Sequence, residues 1–214
     1  MHDFQYHFIE YAISKGVLCF GEFTLKSGRN SPYFFNTGLF NSGESLARLG
    51  DAYAQALRAS ELQYDMLFGP AYKGIPLVTA LSLCLSRDQH RNVPYCFDRK
   101  EAKDHGEGGL TVGAPLRGRV VIVDDVISAG TSVRHSIDII NSFDASPVGV
   151  IIALDRQERG QGEISAVQET EQLHEIKVIS VITLDNIMEY LETRNRTGPE
   201  LGKIQQYREE YGVK

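Results

Sequence analysis

The chain has little cysteine: three in 214 residues, Cys19, Cys84 and Cys96, with no C-x-x-C pair. An odd, widely spaced set fits reduced thiols packed in a cytoplasmic protein better than a disulfide framework or a zinc site. Long apolar runs are missing as well. The longest, Val148 to Leu154 with Gly149 inside it, falls far short of the ~20 residues a membrane-spanning helix needs. A basic excess is also lacking. With 22 Lys and Arg against 28 Asp and Glu the net charge is −6, which argues against a general nucleic-acid binder but leaves room for a local cationic site. Met1-His2-Asp3-Phe4-Gln5-Tyr6 has no basic stretch leading into an apolar one, so no signal peptide is expected. Neither internal repeats nor low-complexity tracts occur.

What is present fits one α/β domain, or one domain with a small addition, long enough to bury a substantial core. Hydrophobic residues make up 42% and charged residues 23%, ordinary for a globular protein. Residues 4–15 carry Phe4, Phe8, Tyr11 and Ala12 on one helical stripe. Two aromatic runs flank the turn-forming residues 26–32, which predicts a hairpin within 17–40. The clearest helix is 42–60, with Leu46, Leu49, Tyr53, Ala56 and Leu57 at helical spacing.

From there strands alternate with helices. Strands are expected at 64–68, 93–97, 119–123, 148–154 and 177–183. Helices are expected at 74–85, 131–143, 164–172 and 185–193, with a last helical turn near 207–211. Residues 99–116 read as a polar, glycine-containing loop. The alternation implies a mainly parallel twisted sheet with helices on both faces, whose ligands sit beyond the carboxyl ends of the strands.

One such end stands out. Arg119-Val120-Val121-Ile122-Val123 runs into Asp124-Asp125, then Val126-Ile127-Ser128-Ala129-Gly130-Thr131-Ser132 and a helix. Two carboxylates there can accept hydrogen bonds from vicinal hydroxyls and support a divalent cation. The turn brings backbone N–H groups and three hydroxyls to a helix N-terminus, where dipole and unpaired donors favour a phosphate. Gly130 lets the backbone approach an anion. A polyol grip beside a phosphate cradle describes a ribose 5-phosphate. A lone acidic pair would read as a helix cap; the whole string does not.

Three other segments carry chemistry. Gly69-Pro70-Ala71-Tyr72-Lys73-Gly74 offers a cation beside exposed N–H groups, and reads equally well as a solvated β-α turn. Arg99, Lys100, Lys103 and His105 are spaced to reach a polyanion, in a stretch that could also be a plain surface loop. Lys26, Phe34, Phe35 and Arg156 could hold a flat acidic ring, since aromatic faces stack on a base and a guanidinium grips a carboxylate. Adjacent strand residues face opposite sides, so at least one of Phe34 and Phe35 is expected in the core. Arg156 could equally be a surface charge.

The string through 119–132 resembles the phosphoribosyl-pyrophosphate signature of type I phosphoribosyltransferases. Residues 23–29 (Phe-Thr-Leu-Lys-Ser-Gly-Arg), 31–36 (Ser-Pro-Tyr-Phe-Phe-Asn), 99–109 and 154–160 (Leu-Asp-Arg-Gln-Glu-Arg-Gly) resemble bacterial orotate phosphoribosyltransferases. The likeness spans residues 4–212. It implies a base-binding hood at 1–40 over a core at 41–214, with a catalytic loop at 99–116 that is mobile without ligand. It further implies Mg²⁺ held mainly through substrate near Asp124 and Asp125, and a homodimer whose loop serves the neighbouring subunit. A non-proline cis peptide is implied near residues 69–74. Orotate and phosphoribosyl pyrophosphate are the implied substrates, giving orotidine 5′-phosphate and pyrophosphate in pyrimidine (UMP) biosynthesis. Ser128 stands where close relatives have threonine, which keeps the hydroxyl and loses a methyl group.

On this resemblance Lys26, Tyr72, Lys73, Arg99, Lys100, Lys103, His105 and residues 124–132 (Asp124, Asp125, Val126, Ile127, Ser128, Ala129, Gly130, Thr131, Ser132) contact the activated ribose. Lys26, Phe34, Phe35, Ser128 and Arg156 contact the base, and Lys103, His105, Asp124 and Asp125 are the catalytic set. Two rivals stay open: a ligand sensor that has lost catalysis, and a purine-using relative. If Lys103 neutralises the leaving group only when the loop closes, its effect falls on turnover. Lys103→Ala is then expected to lose about 2.7–4 kcal/mol of transition-state stabilisation, the range for one electrostatic donor. Near-normal turnover at saturating substrate would remove Lys103 from that role.

Overall fold

The computed structural model describes residues 1–25, 27–103, 109–127, 130–160, 162–193 and 199–213, leaving aside the side chains of 102, 103 and 199. Its frame is a six-stranded sheet built from β3 (Met66–Gly69), β4 (Tyr95–Lys103), β5 (Gly109–Gly113), β6 (Gly118–Val123), β7 (Ala145–Asp155) and β8 (Lys177–Thr183). The spatial order is β5-β4-β3-β6-β7-β8. Every pairing is parallel except β4 with β5, which is antiparallel.

Continuous apolar strands are required because both faces are covered. Val121 and Val123 of β6 join the larger core, which also takes Leu49, Tyr53 and Leu57 of α2 (Gly43–Ala59) and Leu77, Val78 and Leu81 of α3 (Gly74–Gln89). Val120 and Ile122 point the other way, to Val133, Ile137 and Ile140 of α4 (Thr131–Asn141). That period-2 split is what a buried central strand demands. α5 (Ala166–His174) lies C-terminal to β7, and α6 (Leu184–Thr193) follows β8 directly. β7 starts three residues before the expected strand, and Pro147 lies where its register against β6 slips, the place a central strand tolerates proline.

The first forty residues stand apart from the main sheet. α1 (Asp3–Ser14) buries Phe8, Ile9 and Ala12 in the larger core. β1 (Leu18–Thr24) and β2 (Asn30–Phe35) pair antiparallel as their own two-stranded sheet, the expected hairpin. A single 3₁₀ turn, Thr37–Leu39, then leads to α2, whose first turn is capped by Ser42 Oγ on the Ser45 N–H at 3.3 Å.

Two expectations need correction. Residues 99–103 and 109–113 are strand, so the expected 99–116 loop is largely a β-ribbon at the sheet edge, with its tip outside the described residues. Edge strands keep their hydrogen bonds while their side chains face water, so the ribbon carries no apolar pattern to read. At the other end α7 spans Pro199–Tyr211 in place of one last turn. Pro199 is its first residue, a position proline favours, and Leu201, Ile204 and Tyr207 at helical spacing are all buried.

α2 and α3 touch at Gly50. A Cβ there would stand 2.8 Å from Ala80 O and 2.8 Å from Cys84 Sγ. Helix propensity alone favours alanine over glycine by about 1 kcal/mol, whereas overpacking costs about 1–3 kcal/mol. Gly50→Ala is therefore expected to lower the urea unfolding midpoint, with a net loss of about 1 kcal/mol. A raised midpoint would show that the two helices part at no cost.

Candidate active site

The chain builds β3 and β4 outward in one direction, then crosses back to lay β6, β7 and β8 in the other. The order therefore reverses between β3 and β6, and in open α/β sheets the crevice beyond such a reversal receives ligands. Residues 70–73 follow β3 and residues 124–130 follow β6, so two of the segments singled out in the sequence open onto one crevice.

Asp125 joins them. Lys73 Nζ lies 2.6 Å from Asp125 Oδ2, and Thr37 Oγ1 donates to the same oxygen at 2.8 Å. The Val126 N–H donates to Asp125 Oδ1 at 3.0 Å. Asp124 accepts from the Asp125 N–H at 2.8 Å and from Ser132 Oγ at 2.9 Å, so the acidic pair and the start of α4 are one unit. Tyr53 of α2, its pKa pushed well above 10 by burial, stays protonated and donates to the Asp124 carbonyl at 2.8 Å. Both carboxylates are buried, at 7% exposure each. Gly130 enters α4 with φ of 67°, a left-handed conformation that glycine adopts without strain.

The 70–73 turn is braced from β4. The Ala71 N–H donates to the buried Asp98 carboxylate, and His135 Nε2 stands 3.6 Å from the other Asp98 oxygen. The Ala71–Tyr72 peptide is cis, as the resemblance implies. Tyr72 is 73% exposed, and Lys100 Nζ sits 5.7 Å from its ring centre. Arg99 has its Nη1 buried with no hydrogen-bond partner among the described residues. The structure thus brings together Tyr72, Lys73, Arg99, Lys100, Asp124, Asp125, Val126, Ile127, Gly130, Thr131 and Ser132.

The expected base contacts lie beside this group. Backbone bonds from Ala153 N to Asp125 O (2.9 Å) and from Asp124 N to Ile151 O (3.0 Å) tie the ends of β6 and β7, and Arg156 follows β7. Its guanidinium lies 4.1 Å from the centre of the Tyr33 ring, and Nη2 donates to Ser31 Oγ at 3.0 Å. Phe34 and Phe35 face opposite sides of β2: Phe35 packs against the larger core, while Phe34 is exposed and stacks on Phe23 at 5.5 Å. The Phe34 ring therefore lies across the ribbon from the Tyr33 ring that Arg156 covers. Lys26, His105, Ser128, Ala129 and the Lys103 side chain lie outside the described residues.

Thr37, Tyr53, Asp98 and Glu158 escaped the sequence reading. Thr37, Tyr53 and Asp98 act through partners far away in the chain, and Glu158 reads as one more charge in a polar run, so no local pattern marks them. Acidic character alone would also mislead. Asp51, Cys84 and Asp88 come within ligand spacing of one another, yet Arg87 already bridges the two carboxylates, at 3.2 Å and 2.6 Å.

Comparison with known proteins agrees with this arrangement. Residues 37–182 match the family model described as phosphoribosyl transferase domain. The orotate phosphoribosyltransferase of Thiobacillus denitrificans is 59% identical over 213 residues, covering 100% of both chains. The chain belongs to the orotate phosphoribosyltransferases. Another member, from Yersinia enterocolitica, is 57% identical with the same coverage. The crystal structure of the Francisella tularensis orotate phosphoribosyltransferase has a TM-score of 0.89 at 45% identity, covering 97% of this chain and 100% of that one. The family is one of pentosyltransferases, so the chain is an enzyme. Among the described residues no helix is long and apolar enough to cross a membrane.

In this family member one carboxyl of the acidic pair is shifted by its surroundings. Burial pushes the Asp124 carboxyl up to about 6, the Asp125 charge adds to the shift, and bonds from the Asp125 N–H and Ser132 oppose it. A carboxyl raised above its unfolded value near 4 binds its proton more tightly in the folded chain. Between roughly pH 4 and 6 the folded state then holds more protons, so stability falls as pH rises through that window. Asp124→Asn keeps an acceptor for the Asp125 N–H and removes the slope. The variant is expected to gain up to about 3 kcal/mol over the parent at pH 7 and nothing below pH 4. Parallel pH profiles of the urea midpoint for the two proteins would refute the shift.

Proposed function

We propose that the chain transfers the 5-phosphoribosyl group from phosphoribosyl pyrophosphate to orotate, giving orotidine 5′-phosphate and pyrophosphate in UMP biosynthesis. The observation that carries this reading is the contact between Lys73 and Asp125 across the β3–β6 crevice. It sets a cation and an acidic pair side by side, as the charge separation of the reaction requires. As the base nitrogen attacks C1, positive charge grows on the sugar and negative charge on the departing pyrophosphate.

Asp124 and Asp125 take the ribose hydroxyls on this reading. Asp125 Oδ2 accepts from Lys73 and Thr37, whereas the other three carboxylate oxygens each accept a single bond among the described residues. Residues 128–132 hold the 5′-phosphate at the start of α4. Lys73 is 62% exposed on a flexible stem, so it can move from Asp125 to a diphosphate oxygen. Arg99 supplies a buried donor that still needs an acceptor. Tyr72, Lys100, Lys103, His105 and Lys26 complete the anion site. Orotate lies against the Phe34–Phe35 segment, Lys26 and Ser128, with its carboxylate toward Arg156.

The acidic pair fits Mg²⁺ held mainly through substrate, because its remaining lone pairs suit water and hydroxyl donors better than a closed all-protein cage. When bound near Asp124 and Asp125, Mg²⁺ would offset the negative charge of the leaving pyrophosphate. Residues 1–40 serve as the hood, since the turn that carries Thr37 reaches Asp125 directly. The segment 99–116 acts as the catalytic loop, reaching the neighbouring subunit's site in a homodimer. A cytoplasmic setting agrees with three free cysteines.

The test follows orotate absorbance with purified protein, phosphoribosyl pyrophosphate and Mg²⁺, with adenine, guanine and hypoxanthine run in parallel for pyrophosphate release. Loss of the orotate signal only when all components are present is expected. Turnover of a purine alone would overturn the base assignment, and tight binding without any turnover would point to a sensor.

A further inference from the structure

The donors of Arg156 are unevenly used. Nε donates to Glu158 Oε1 at 2.7 Å, and Nη2 lies 2.6 Å from the same oxygen and 3.0 Å from Ser31 Oγ. Nη1 donates to neither of them, and the Tyr207 side chain also lies against the guanidinium and Glu158. The plane of the guanidinium is fixed from a third side by the fully buried Tyr33 ring, 4.1 Å from its centre. With Glu158 along one edge and Tyr33 on one face, the Nη1 side is the part of the guanidinium that Glu158 and Ser31 leave to a ligand.

Glu158 is itself held. Its side chain is 12% exposed, it accepts from Tyr33 OH at 3.3 Å, and Arg29 Nη1 stands 3.6 Å from its second oxygen. Its backbone is stitched to the segment after α7: Arg159 N donates to Tyr211 O at 2.8 Å, Val213 N donates to Gln157 O at 2.9 Å, and Glu158 bridges Gly212. Arg29 packs over the Tyr211 ring at 4.9 Å. Two guanidiniums thus share one carboxylate, which leaves one positive charge to meet a singly charged acid.

We propose that Glu158 is a positioning residue for base recognition: it clamps Arg156 so that the Nη1 edge alone faces the carboxylate of an acidic pyrimidine. The inference rests on the function proposed above and goes beyond it, since Glu158 acts through Arg156 without touching the base. Without Glu158 the guanidinium loses the acceptor that fixes its Nε–Nη2 edge, its orientation over Tyr33 is no longer set, and the acid loses its fixed partner.

The experiment is a double-mutant cycle read by steady-state kinetics. Wild-type turnover of orotate is measured first, and its failure would sink the proposed function before any variant is compared. Glu158→Ala is expected to raise the KM for orotate about tenfold or more, the effect of misplacing a charged hydrogen bond. The KM for phosphoribosyl pyrophosphate should stay within about twofold, and kcat within about threefold, for a residue that acts only on base binding. E158Q, which keeps an acceptor oxygen in reach of Nε, should recover most of that loss. On an Arg156→Ala background, adding Glu158→Ala should change the orotate KM by less than about twofold. A KM that rises equally for both substrates, or a further tenfold loss on the Arg156→Ala background, would overturn the positioning role while leaving the reaction intact. Should Glu158→Ala fail to fold, E158D, whose carboxylate falls one methylene short, carries the same expectation of a raised orotate KM and the same refutation.

Discussion

Asp125 Oδ2 receives donors from two segments that the chain keeps far apart, Thr37 at 2.8 Å and Lys73 at 2.6 Å. That one oxygen fastens the turn after the hairpin, the turn after β3 and the end of β6 to a common point. A buried carboxylate needs such partners, since an unpaired charge away from water is costly. The constraint runs in the other direction too. Because Asp125 must be satisfied, the hairpin cannot drift from the crevice and the 70–73 turn cannot swing away from α4.

The neighbouring carboxylate is supported from below. Tyr53 spans from α2 to the Asp124 carbonyl, and Ser132 reaches back from α4 to the Asp124 side chain. One helix from each face of the sheet therefore fixes the same strand end. The larger and smaller cores meet only through the strands of the sheet, so the strand tip is where packing errors on either side would register. The site is placed by the layers, and its loops only finish it.

Much of this was legible in the residues. The β-branched run 119–123 told of a buried parallel strand, and the Asp-Asp, glycine and hydroxyl string after it told of an acidic strand end leading into a helix. The alternation of strands and helices gave the sheet class. Partners across the fold were not legible. Nothing near Thr37 announces Asp125, nothing near Asp98 announces the Ala71 N–H, and the Glu158 side chain looks like one more charge in a polar run. The 99–113 ribbon was hidden for a different reason, since edge pairing leaves no apolar signature. α7 hid behind the glycine and proline before it, although its buried spacing was there to be counted.

The brace on the Arg156 loop comes from residues 211–213, well downstream of the loop itself. As the chain leaves a ribosome, β3, β6 and the start of α4 emerge before that brace exists. The Lys73–Asp125 side of the crevice can therefore take shape on a nascent chain, while the Arg156 loop stays unbraced until residues 211–213 arrive.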